Sequence, residues 1–194
     1  MDKLYLLGVD PGLTNIGFAL AEYTVKDGLH FIAVTTACMP ASTCAAAKVI
    51  ARETEQAIAQ SKTLLDWLFG AGFIGDAPLY LCSEELSTPP SSAAVRKAGL
   101  GWGVVLGTIL GRYPRAVAVD AAHPKAIKHY VARNRSATKE RVRLALEDHH
   151  PELQAMWPLG PRGGTGLVEH AADAAAALLY GATTTAFRSA AALL

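Results

Sequence analysis

Four side chains of this sequence have the types and spacing of one metal site: Asp10, Glu84 and the pair His170 and Asp173. Three carboxylates and an imidazole suit divalent cations, and carboxylates gathered around two such ions are a common apparatus for hydrolysing a phosphate ester. Taken singly, each has a plainer reading. Asp10 starts a turn, Glu84 and Glu85 end a strand, and His170 with Asp173 makes a polar helix face. Their meaning depends on whether the chain brings them together.

The surrounding elements argue that it does. Leu4 to Val9 is an apolar run of strand length that ends at Asp10-Pro11-Gly12, so Asp10 stands where the strand emerges. Pro11 fixes its own φ, and Gly12 permits a tight turn into a second strand, Asn15 to Ala21. A carboxylate at the mouth of this hairpin, beside apolar residues, needs a cation or strong donors nearby. Leu79 to Cys82 is another short apolar strand, and it ends in Glu84 and Glu85. The carboxyl ends of strands are where open α/β sheets bind ligands. Leu167 to Tyr180 reads as an Ala-rich helix with Val168, Ala171, Ala172, Ala175, Leu178 and Leu179 in its apolar stripes. His170 and Asp173 leave one face of it, and the spacing directs Glu169 elsewhere.

Other segments supply the frame. Leu29 to Thr36 completes a three-stranded meander, and Ala116 to Val119 is a fifth short strand. Thr43 to Phe69 reads as a long helix with Ile50, Ile58, Leu64, Leu65 and Leu68 inward. Pro90 to Leu110 reads as a helix whose glycines allow close backbone approach, with Trp102, Val105 and Ile109 as a candidate dimer patch. A helix over Ala137 to Glu147 stops before Pro151, and Leu159 to Gly166 is a Gly- and Pro-rich loop leading into the final helix. Beyond Gly181 a short helix or a frayed tail is expected. The result is an α/β protein with a mixed five-stranded sheet, three antiparallel strands followed by two parallel ones, and helices on both faces.

Composition bounds the function. With 51% hydrophobic and 18% charged residues over 194 positions, the sequence reads as one soluble domain with a real core. Net charge is only +1, yet eleven of the 18 Lys and Arg residues lie between Arg96 and Arg143, against Asp120 and Glu140 alone. The strip Lys125, Lys128, Arg133, Arg135, Lys139, Arg141 and Arg143 is suited to phosphate contact, the plainer alternative being a solvated helix face. Three cysteines without CxxC spacing favour neither a disulfide framework nor a zinc finger. With no signal-peptide pattern and no span-length apolar run, a cytoplasmic protein without membrane association is expected.

Gly8-Val9-Asp10-Pro11-Gly12, followed by Asn15-Ile16-Gly17-Phe18-Ala19, resembles the first motif of the RuvC-type Holliday junction resolvases, members of the RNase H-like nuclease superfamily. Leu81-Cys82-Ser83-Glu84 is similar to the second acidic motif, and Lys97 to Val105 to the Gly-punctuated helix after it. Aligning Glu84, not Glu85, lets Gly99 and Gly103 fit without a gap. Pro124 to Lys128 and Ser136 to Lys139 resemble the two basic motifs, and His170-Ala171-Ala172-Asp173-Ala174 the final acidic pair. Each motif is short; their order and joint spacing from Leu4 to Leu179 carry the resemblance.

The resemblance implies an RNase H-like fold and a homodimeric, structure-selective endonuclease that resolves four-way DNA junctions, leaving 5′-phosphate and 3′-hydroxyl ends. It implies two Mg2+ or Mn2+ ions held by Asp10, Glu84, His170 and Asp173, with Asp10 between them. It implies DNA contacts from the basic strip. His170 stands where many relatives carry Asp, and Ser87 to Pro90 where bacterial resolvases place a junction-wedging aromatic. Alternatives are an RNase H-like nuclease acting on RNA or other branched DNA, and, from Asp10 to Asn15 alone, a phosphate loop of an actin-like ATPase or kinase lobe. The latter needs a second lobe, for which this chain is too short.

Overall fold

The computed structural model describes residues 3–39, 49–73, 75–85, 92–118, 121–158 and 166–194. Five strands, β1 (Leu4–Asp10), β2 (Asn15–Thr24), β3 (Gly28–Cys38), β4 (Leu79–Ser83) and β5 (Ala116–Ala118), form one sheet in the order β3-β2-β1-β4-β5. β1, β2 and β3 are antiparallel neighbours, while β4 pairs parallel with β1 and β5 parallel with β4. This is the mixed sheet expected from the sequence. β1 is apolar at every position up to Val9 because helices cover both faces of the sheet, which removes the need for alternation.

Strand periodicity sorts the core into two halves. Tyr5, Leu7 and Val9 of β1, with Leu79 and Leu81 of β4, face α1 (Val49–Gly70) and α2 (Ser92–Arg112). Leu4 and Leu6, with Tyr80 and Cys82, face the other layer, made of α3 (Pro124–Ala132), α4 (Lys139–His149), α5 (Leu153–Met156), α6 (Gly166–Gly181) and α7 (Thr185–Ala191). The segment after Gly181 is helical, and Phe187 anchors it by edge-to-face contacts with Tyr23 and Tyr80. Among the described residues no helix is long and apolar enough to cross a membrane.

The inward face of α1 differs from the expectation. Leu64 and Leu68 are buried, but Ile50 and Ile58 are 81% and 67% exposed, and the buried positions between are Glu53, Gln56 and Gln60. Ile58 is six residues from Leu64, about 120° around the helix, so it cannot share that face. Polar contacts to α2 replace apolar ones: Arg96 donates to Glu53 at 2.8 Å, and Gln60 Nε2 to the Gly101 carbonyl at 3.1 Å. On α2, Val105 and Ile109 are fully buried against the sheet, which removes them from the expected dimer patch. The close approach expected of its glycines occurs at Gly101 only, where a Cβ would lie 3.0 Å from the Gly12 carbonyl; Gly99 and Gly103 face open space. α3 and α5 escaped the sequence reading. Pro124 at the start of α3, with His123 Nδ1 accepting from the Lys125 amide, is the signal that marks it.

Candidate active site

Two-residue periodicity carries the α6-facing side of β1 from Leu4 through Leu6 and Gly8 to Asp10. The same rule carries β4 from Tyr80 through Cys82 to Glu84, while Glu85 is exposed beyond it. A bridge from Glu84 to Ala122, together with the Glu85 amide donating to the Ala122 carbonyl at 2.8 Å, holds this end in place. Asp10 and Glu84 therefore emerge on one side of two adjacent parallel strands.

α6 brings the second pair to the same place. Bare backbone lets it lie this close: a Cβ on Gly8 would stand 2.1 Å from the Ala174 carbonyl oxygen, and one on Gly17 1.9 Å from that of His170. Alanines from Ala171 to Ala177 form the complementary surface, and the Thr36 hydroxyl donates to the Leu167 carbonyl, tying the start of α6 to β3. His170 Nδ1 consequently lies 2.6 Å from Asp10 Oδ2, a contact between residues 160 apart in sequence. With Asp10 ionised, the ring nitrogen is the donor.

The second contact was not foreseen. Lys139, the first residue of α4, places Nζ 3.2 Å from Asp173 and 3.1 Å from Glu169. Glu169 thus shares the Asp173 side of α6, as its four-residue spacing allows, where the sequence reading directed it elsewhere. That spacing is the signal which could have found it.

The electrostatics bind these residues into one cluster. Burial pushes the Glu84 carboxyl up to about 7, with repulsion from Asp173 and Asp10 adding to it and Lys128 and Lys139 opposing it. Burial and then the Asp10 charge raise Asp173, against the pull of Lys139. The hydrogen bond to Asp10 raises His170 against its own desolvation. Burial acts to lower Lys139, but Asp173 and Glu169 outweigh it and raise it. Glu84 and His170 each interact electrostatically with both Asp10 and Asp173, which ties the four predicted residues into one cluster. Among the described residues, however, no three His, Cys, Asp or Glu side chains are grouped closely enough to hold an ion as they stand. Two of the carboxylates are paired with a ring and an ammonium group instead. The donor set is right in type for divalent cations, and ligation by Asp173 requires it to exchange its Lys139 partner for the ion.

The basic strip divides by location. Lys128 is half-buried, and its charge is felt at Glu84. Lys125, Arg133 and Arg135 are exposed and line a groove between α3 and α6. Arg141 is exposed on the first turn of α4, whose amides Thr138 caps. Arg143 is engaged with Glu147, which also accepts from Trp157 Nε1 at 2.7 Å, so it serves packing rather than an open surface. The Ser87 to Pro90 segment and the loop before Gly166 lie outside the described residues, apart from Gly166 itself.

No family model matches the sequence, and no curated protein sequence matches it. Solved structures do match it in fold. Thermus thermophilus RuvC in complex with a Holliday junction substrate is 20% identical, with a TM-score of 0.65 over 96% of both chains. Thermus thermophilus RuvC alone is 21% identical, with a TM-score of 0.60 and the same coverage. The yeast mitochondrial Holliday junction resolvase is 13% identical, with a TM-score of 0.58 over 97% of this chain and 83% of that one. The protein therefore has, at low sequence identity, the RNase H-like α/β fold that these junction resolvases share.

Proposed function

We propose that this protein is a divalent-metal-dependent endonuclease that resolves four-way DNA junctions by hydrolysing two phosphodiester bonds. The observation that carries the reading is the meeting of Asp10 with His170, across 160 residues, beside Glu84 and Asp173 at the carboxyl ends of parallel β1 and β4. Burial raises Glu84 and Asp173, and repulsion among the converging carboxylates adds to it. Such a site calls for positive charge. Asp10, Glu84, Asp173 and His170 would hold Mg2+ or Mn2+, two per site, and the ions would supply an activated water and charge stabilisation at the leaving 3′-oxygen.

The chain's own groups have further tasks. Asp10 fixes the ring of His170 by accepting from Nδ1, so a neutral ring presents Nε2 for ligation or for orienting water. Lys128 and Lys139 bring positive charge to the edge where a phosphate would lie. Lys125, Arg133, Arg135 and Arg141 would neutralise the backbone further along the DNA.

A homodimer belongs to this reading, because a four-way junction presents two equivalent strands and a two-fold pair presents two sites. The exposed Ile50 and Ile58, with Leu100 and Val104 across the α1–α2 groove, form the apolar surface such a contact would cover.

Purified protein incubated with a labelled four-way junction, a flap, a duplex and an RNA–DNA hybrid, with and without Mg2+ or Mn2+, tests the reading. Paired, metal-dependent cuts in the junction are expected. Cleavage of the hybrid alone, or no cleavage of the junction with either ion, overturns it.

A further inference from the structure

α3 and α6 frame an open groove of about 530 Å3 lined by Lys125, His129, Tyr130, Arg133, Arg135 and Tyr180 among others. Its size falls in the range of about 300–1,000 Å3 typical of sites for small organic ligands. Three cationic side chains line it and no acidic one does. Such a surface selects an anion.

The rings add a second requirement. Tyr130 and Tyr180 meet edge to face, with centroids 5.9 Å apart and planes at 88°. Such a pair uses one edge and one face, leaving other ring faces uncovered by the partner, and Tyr130 is 41% exposed. Tyr180 is partly buried against the core and backs this ring, and an exposed tyrosine face beside cationic side chains is the apparatus that receives an unstacked base. In a duplex the base faces are already stacked on one another and cannot reach a ring.

Position ties the groove to the acids. His170, Asp173, Ala177 and Tyr180 are spaced three, four and three apart, one stripe of α6. Tyr180 lies seven residues from Asp173, about 10 Å along the helix axis.

The backbone supplies an independent sign. Arg133 ends α3 with φ 54° and ψ 20°, and it is the only non-glycine residue with positive φ among those described. Helices that end this way usually place Gly or Asn there. Here the chain keeps a cation at a position whose conformation favours the residue with no side chain, and that cation faces the groove.

We propose that this groove binds unpaired DNA, with Lys125, Arg133 and Arg135 on the phosphates and the ring of Tyr130, held by Tyr180, stacked on a base. The inference deepens the endonuclease reading by naming the form of strand held beside the acids. Its test needs neither metal nor cleavage.

Binding of the full chain, in chelator, to a labelled thymidine oligonucleotide and to a blunt duplex of equal length is followed by fluorescence anisotropy. Tyr130→Ala is expected to weaken single-strand binding by about 5- to 150-fold, the scale of one lost base stack, and to leave duplex binding nearly unchanged. Tyr130→Phe restores the single-strand affinity. Arg133→Gly, which relieves the backbone, keeps or raises the melting temperature while flattening the single-strand salt slope by about 0.7. Unchanged single-strand affinity in Tyr130→Ala, equal losses on both DNAs, or an unchanged slope in Arg133→Gly overturns the proposal. If the wild type binds the oligonucleotide here but never cleaves a junction with metal, the nuclease reading fails and the groove stands.

Discussion

A side-chain carbon on Gly17 would sit 1.9 Å from the carbonyl oxygen of His170, so the helix that carries half of the acidic cluster rests on bare backbone. Gly17 also pairs with Asp10 across β1 and β2. One glycine thus sets the distance between Asp10 and the ring it contacts. Gly17→Ala forces α6 away or strains it, at about 1–3 kcal/mol of stability. In a chain of this size that lowers the melting temperature by several degrees, at about 2–4 °C per kcal/mol. A melt indistinguishable from wild type would show that α6 does not depend on this contact.

Asp10→Asn tests the chemistry. The amide keeps the shape and removes the charge that the proposal gives to the ions. Junction binding in chelator should persist while cleavage falls by at least about 100-fold, a loss that even outer partners of metal ligands can produce. Near wild-type cutting would sink the assignment.

Glu84 and Glu85 separate by both activity and pH. The folded-state pKa of Glu84 is raised to about 7, so the folded chain holds this proton more tightly than the unfolded chain does. Its favourable contribution is present at low pH and is lost as pH rises from the ordinary carboxylate range through about 7. Glu84→Gln removes this dependence. The metal-free variant should melt higher than wild type near pH 8, with the gap closing toward pH 5, and it should be inactive. Glu85→Gln, at an exposed position, should do neither.

His170→Asp exchanges an imidazole for an oxygen ligand, which favours Mg2+ relative to Mn2+. The Mn2+/Mg2+ activity ratio should fall. In the wild type, the raised His170 and Glu84 each carry more protons near neutrality than free groups would, so metal affinity should climb from pH 6 to pH 8 as these protons leave. Calorimetry in buffers of different ionisation enthalpy measures the protons released. A ratio and a release both unchanged in the variant would place His170 outside the ligand set.

The two lysines near the acids should behave differently. Lys128→Ala removes a charge available to phosphate and should flatten the salt slope of duplex-arm binding by about 0.9. Lys139 is committed to Asp173 and Glu169, so Lys139→Ala should leave a smaller change in slope and lower the metal-free melting temperature. Equal effects of both on slope, with no effect on stability, would return Lys139 to the open basic face.

The sheet and its acids were legible because β1 and β4 are short apolar runs that stop at carboxylates, and two-residue alternation then fixes which acid turns toward α6. Glu84 over Glu85 follows from that alternation as well as from motif spacing. The inward face of α1 was not legible, because Glu53 and Gln60 are buried through partners on α2 that lie more than forty residues away, Arg96 and Gly101. Periodicity of apolar residues cannot report a polar interface. The Lys139 contact was missed for a related reason. A lysine in a basic strip reads as solvent-facing until the helix opposite it is in place.

The close docking of α6 also dictates an order of events during folding. Asp10 and Glu84 are made early, but their partner helix begins at Gly166. Until then Leu4, Leu6, Ala19 and Ala21 have no α6 to cover them. Such long-range closure is slow and leaves an apolar sheet face exposed to aggregation in the meantime. A nascent chain therefore carries two of its acids without the third or the ring, and the cluster is complete only once α6 seats on the two glycines.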